Sequence, residues 1–169
     1  MERMRPEDLL ARIIQGSDDP GPVRRPATPE LGDVRHWSGP VLLERAAYLK
    51  KMARASEGWA AETIREYPGH RAMLVVRLRN SAAELLDGVS QMLFVLEGRA
   101  TLVTGGVIEK PRKTSPGETT GAGIQGGSHQ ELRAGDVVHV AGGVPVQFLV
   151  AGEKAFSCMV MRMQEIKED

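Results

Sequence analysis

The sequence predicts an all-β protein, an antiparallel sandwich or barrel carrying a helical and irregular extension at its N-terminus. Three observations lead there. The runs "AETIREY" and "HRAMLVVRLR" alternate at the two-residue period of half-buried strands. Short apolar runs are separated by glycine turns at Glu97-Gly98, Gly105-Gly106 and Gly142-Gly143. No helical periodicity follows residue 56.

The elements follow in chain order. Residues 6–15 form a short amphipathic helix: Pro6 suits a first turn, and Leu9, Leu10, Ile13 and Ile14 make one stripe. Residues 16–40 hold five Pro and four Gly and read as an irregular arm. A second helix is expected at about 41–55, after Ser38-Gly39-Pro40, with Leu42, Ala46, Leu49 and Ala53 on one face. The arm is expected to span 1–58 and the β-domain 59–169.

Along 70–79, Ala72, Leu74 and Val76 share one strand face and Met73, Val75 and Arg77 the other. The first of these faces is taken to line the interior, which would set His70 at its rim. "QMLFVLEGRATLVTGGVIEK" supplies two or three strands, and strands return at 136–141, 145–151 and 154–164. The glycine-rich stretch 111–128 reads as a loop long enough to act as a lid.

Bulk properties exclude several function classes. With 169 residues, 41% of them hydrophobic and 26% charged, the chain can bury a core. Lys plus Arg equals Asp plus Glu, so no electrostatic footprint for nucleic acid or an anionic membrane is present. The seven aromatics are scattered, which offers no base-stacking platform. No run reaches membrane-spanning length, and the first residues lack a signal-peptide stretch, so a cytoplasmic protein is expected. The single cysteine, Cys158 in "FSCMVM", reads as a small buried hydrophobe.

The stretch "GDVVHVAGGVPVQF" at 135–148 and the turn "FVLEG" ending at Gly98 resemble the two motifs of the cupin superfamily over about residues 60–165. "LVTGG", "PGETTGAGIQGG" and "AGDVVHVAGG" look like a bacterial single-domain group within it, with the RmlC-like architecture. The resemblance implies a jelly-roll β-barrel, often dimeric, whose lumen holds a metal on histidines and a carboxylate. Counting the motifs onto this chain sets Val146 in the second motif's histidine place and Gln91 in the first motif's acidic place. The first motif's two histidines fall on Glu84 and Leu86, or on Leu85 and Asp87. Leucine and valine have no donor atoms, so a histidine-held transition metal is not expected, nor any other cofactor. Glu84, Asp87 and Gln91 could offer oxygens to a hard ion, but form a poor cage.

The four histidines are His36, His70, His129 and His139, none paired at ligand spacing. His139 is expected to face outward, opposite in parity to Val138 and Val140. His129 is expected at a solvated loop edge. If the ligand positions face the lumen, Leu86, Gln91, Leu93, Val146 and Phe148 line it, joined by Met159 and Met161. Three readings follow. The first is a metal-free protein that binds a small apolar molecule or serves a non-catalytic role as a homodimer. The second is a metal-independent isomerase, epimerase or cyclase using His70 with Glu84 or Asp87. The third, a metal-dependent dioxygenase or isomerase, is opposed by the missing ligands.

Overall fold

A computed structural model describes residues 34–151 and 154–167. The helix expected at 6–15 and most of the arm lie outside the described residues. The second expected helix is present as α1, Gly39–Ala55. Ser38 caps it, its hydroxyl accepting from the Val41 N–H at 3.4 Å, and a proline stands in the first turn. Ala46, Leu49 and Ala53 are its buried residues, so the sequence stripe is the packed stripe. Ser56 closes it, its N–H donating to the Ala53 carbonyl.

Among the described residues thirteen strands follow, in two large sheets and one small one. The first sheet runs β1 (Trp59–Tyr67), β2 (His70–Arg77), β13 (Phe156–Gln164), β4 (Val89–Glu97), β11 (Val137–Val140) in spatial order. The second runs β10 (Ser128–Arg133), β5 (Arg99–Thr104), β12 (Val146–Leu149), β3 (Ala83–Leu86), β8 (Glu118–Gly121), β7 (Arg112–Ser115). β6 (Val107–Glu109) pairs with β9 (Gly123–Gln125). Adjacent strands in these ladders are antiparallel. Most spatial neighbours are not chain neighbours, the pattern of a jelly roll rather than a meander.

Two cores result. Leu93, Val95, Leu102, Leu132, Val140, Val146, Phe148, Phe156, Cys158 and Val160 fill the space between the large sheets. Ala72, Leu74, Val76 and Met159 face the other way and pack with Ala46 and Leu49 of α1. Arg45 of α1 ties the helix to β1 through a two-pronged contact with Glu62. The first sheet is thus covered on both faces along β1, β2 and β13, while the outer face of β4 and β11 is open at Phe94 and Val137.

That arrangement corrects two expectations. The Ala72–Leu74–Val76 face lies under the helix, and Val75, from the other face, enters the lumen. Met159 and Met161 belong to the helix side and do not line the barrel. A sheet buried on both faces supplies no polar face to tell inside from outside. The stretch 111–128 is also not an irregular lid. It carries β7, β8 and β9 and the first residue of β10, with a tight turn at Pro116-Gly117 joining β7 to β8. β7 is exposed throughout, so burial leaves no alternation in its sequence.

Glycine is required where the β4–β5 turn meets β13. Gly98 has φ +78°, and a Cβ there would lie 2.1 Å from the Ala155 carbonyl oxygen. Gly143, in the turn between β11 and β12, has φ +77°, and its N–H donates to the Leu86 carbonyl at 2.7 Å.

Candidate functional site: a polar cleft at the barrel mouth

Backbone hydrogen bonds gather four chain segments at one end of the barrel. The Gln164 N–H donates to the Gly69 carbonyl at 2.8 Å, and the Glu165 N–H to the Gly88 carbonyl at 2.9 Å. The Asp87 N–H donates to the Gly117 carbonyl at 2.7 Å. The β1–β2, β3–β4 and β7–β8 turns and the end of β13 are thereby stitched into one rim. Within it opens a cleft of about 290 Å³. Glu66, Tyr67, His70, Arg71, Leu86, Asp87, Val89, Glu118, Arg162 and Gln164 line it, with Gly69, Pro116 and Gly117.

Arg162 is the central group. It shares the strand face of Cys158 and Val160, both in the lumen core, and so points inward. In register it stands between Arg71 of β2 and Gln91 of β4. Its Nη2 donates to Glu84 Oε1 at 3.0 Å, with both side chains partly exposed. Its Nε is buried and has no hydrogen-bond partner. A charged donor left out of water without an acceptor is costly.

Further in, the Arg77 guanidinium lies 5.2 Å from the centroid of the Phe148 ring. Burial lowers its pKa; Cys158 and Glu84 oppose that shift, and Arg162 adds to it. Glu84 therefore lies within electrostatic reach of two guanidiniums. Burial pushes the Cys158 thiol up to about 12, which makes it unreactive at neutral pH.

On the cleft wall the Tyr67 and His70 rings stack at 4.7 Å between centroids, 10° from parallel. His70 Nδ1 lies 3.2 Å from the Pro68 carbonyl oxygen. A carbonyl can only accept, so Nδ1 carries the proton in that contact.

The residues singled out from the sequence separate into distinct places. His70, Leu86 and Asp87 border the cleft. Glu84 is engaged by Arg162 beside it. Gln91 is buried, and Leu93, Val146 and Phe148 are packed core rather than walls of an open pocket. His36, His129 and His139 are exposed, His129 within β10 rather than at a loop edge. Arg71, Arg162, Tyr67 and Gln164 went unnoticed. The signal was available for Arg162: a lone cation on the apolar face of "FSCMVMRMQ".

These residues do not suit a resident transition metal. Glu84, one counted ligand position, is held by a guanidinium cation. Among the described residues no three His, Cys, Asp or Glu side chains come together at metal-binding range.

No family model and no curated protein matches the chain. Solved structures do match. TT1209 from Thermus thermophilus superposes with a TM-score of 0.52 at 13% identity, covering 73% of this chain and 95% of that one. The chain shares its antiparallel jelly-roll fold with that structure. The cupin domain of Schizosaccharomyces pombe Cnp3 gives 0.48 at 10% identity, covering 63% of this chain and 65% of that one. A cupin superfamily protein from Desulfitobacterium hafniense gives 0.45 at 10% identity, covering 63% and 78%. Identities this low speak to likeness of fold alone. No helix among the described residues is long and apolar enough to cross a membrane.

Proposed function

We propose that this cupin-fold protein binds a small polar molecule in the mouth cleft, without a histidine-held metal. One observation carries the reading. The lumen below is packed with apolar side chains, while an open polar cleft remains above it with a half-buried arginine at its inner side. A concave site with a few convergent polar groups is the form that small-molecule sites take. Any ligand sits at the rim rather than in an apolar lumen.

Screening small fragments by ¹H–¹⁵N NMR tests this. Binding should shift the amides of Gly69, Asp87, Gly117 and Gln164. Ligands that shift Leu93 and Val146 instead would return the site to the lumen.

A second reading is metal-independent acid–base chemistry on the bound molecule, favoured by His70 and Asp87 bordering the same cleft. It expects His70→Ala to abolish a measured turnover while the fold and the fragment shifts persist. Self-association also has a surface. Phe94 and Val137, cross-strand partners on β4 and β11, are 41% and 57% exposed. A dimer through this face should be split by Phe94→Glu in size-exclusion chromatography with light scattering.

A further inference from the structure

We infer that the cleft takes a small zwitterion, its carboxylate turned inward onto Arg162 and Arg71 and its cationic end held at an acidic rim. This inference rests on the mouth cleft being the binding site.

Two layers of charge carry it. The inner layer is cationic. Arg162 and Arg71 are neighbours in register on β13 and β2, and both are only partly exposed. Arg162 is held to Glu84 through one nitrogen, while its Nε has no acceptor. Arg162 also lines the cleft, so a ligand there meets its side chain. The planar fork of arginine matches a carboxylate's two oxygens, so a carboxylate supplies the acceptor that this donor lacks.

The outer layer is acidic. Asp87 stands exposed at the β3–β4 turn and Glu118 joins it from the start of β8, while Glu66, exposed near the end of β1, is the cross-strand partner of Arg71. Asp87, Glu118 and Glu66 thus border the same cleft as Arg162 and Arg71. A simple anion gains from the arginines and is repelled at the rim. A simple cation is attracted at the rim and leaves the Arg162 donor unsatisfied. A molecule carrying both charges satisfies both layers.

The space sets the size. At about 290 Å³ the cleft lies near the lower end of the range for ligand pockets. Leu86 and Val89 offer apolar wall to a short hydrocarbon linker between the two charges. The class is therefore an ω-amino acid or betaine of a few carbons.

The test is NMR titration of the full chain with glycine, β-alanine, 4-aminobutyrate and 5-aminovalerate, each against the carboxylate and the amine of equal length. At least one zwitterion should shift the cleft amides and bind about tenfold or more tighter than either matched partner, as expected for one added charge-assisted contact. Arg162→Met should weaken that binding about tenfold or more, with Arg71→Met as a second variant should the first fold poorly. An amine binding as tightly as its zwitterion, or undiminished binding in both variants, overturns the inference and leaves the cleft reading standing. Neutral fragments binding the cleft while all four zwitterions fail has the same consequence. If no fragment of any charge shifts the cleft, both readings fall.

Discussion

Replacing Arg162 by methionine should leave the folded state nearly as stable, within about 1 kcal/mol, whereas Glu84→Ala should cost about 2 kcal/mol. The asymmetry comes from the geometry. Arg162→Met loses one charge-assisted hydrogen bond, made by side chains 20% and 27% exposed. At that exposure the bond contributes only about 1 kcal/mol. The same substitution removes the buried Nε donor, whose missing acceptor costs about 1–3 kcal/mol, and keeps most of the apolar stem. The two effects nearly cancel. Glu84→Ala removes the acceptor and leaves Arg162 with two unsatisfied nitrogens at a partly buried site. The double variant should recover part of that loss, giving a non-additive coupling of about 1 kcal/mol. Urea unfolding at pH 7 reads this as a shift in midpoint at constant slope. On heating, each kcal/mol should move the Tm by about 2–4 °C for a chain this long. A cost of about 3 kcal/mol or more for Arg162→Met, exceeding that of Glu84→Ala, would refute the reasoning. Arg162 would then be a structural strut with no surplus bonding capacity to offer a ligand.

Other predictions address the fold and its chemistry. Leu49→Ala, at a fully buried site between α1 and the first sheet, should cost about 2–5 kcal/mol, against about 0.5 kcal/mol for Leu43→Ala at a 42%-exposed site; equal losses would mean the helix is not docked. Gly98→Ala should cost more than about 2 kcal/mol in denaturant, since it combines a positive φ with a clash against the Ala155 carbonyl oxygen. Cys158 should resist iodoacetamide at pH 8 in the native protein and react fully in urea. Its pKa rises from 9.0 to about 12 on folding, so its contribution to stability is complete below pH 9 and is lost as pH rises toward 12. Cys158→Ala should flatten that alkaline slope in unfolding measurements. Dialysis against a chelator should leave the Tm unchanged, and a drop would show a resident metal that the donor set does not suit.

The turns were legible in the sequence because glycine answers a backbone demand independent of long-range packing. Gly98, Gly105, Gly106 and Gly143 all take positive φ, and strands flank them as their spacing implies. Helix α1 was legible from its single stripe and its cap. What the sequence could not reveal was which face of the first sheet looks inward. Alternation locates a face when the other face meets water, and in β2 the run Leu74–Val76 is buried without interruption because α1 covers the outside. Leu93 and Val95 face the lumen, whereas Ala72, Leu74, Val76, Met159 and Met161 face α1, against the parity that alternation alone implies for them. The hairpin β7–β8 was hidden for the opposite reason: exposed on most sides, its pairing is dictated by β3 and not by its own pattern.

The same parity explains why the site was read as apolar. The motif positions Leu86, Gln91 and Val146 carry mostly apolar side chains. The charge at this end of the barrel arrives instead on β13, which contributes no residue to either motif. Once Cys158 and Val160 are known to face inward, Arg162 must too, and its cross-strand neighbours are Arg71 and Gln91. A carboxylate at position 91 would sit beside that guanidinium and could neutralise it; the glutamine leaves Arg162 to Glu84 with one donor over. Glu84 and Gln91, both beside Arg162, therefore decide how far its bonding capacity is met. Arg162 thus lines the mouth cleft with one buried donor unsatisfied.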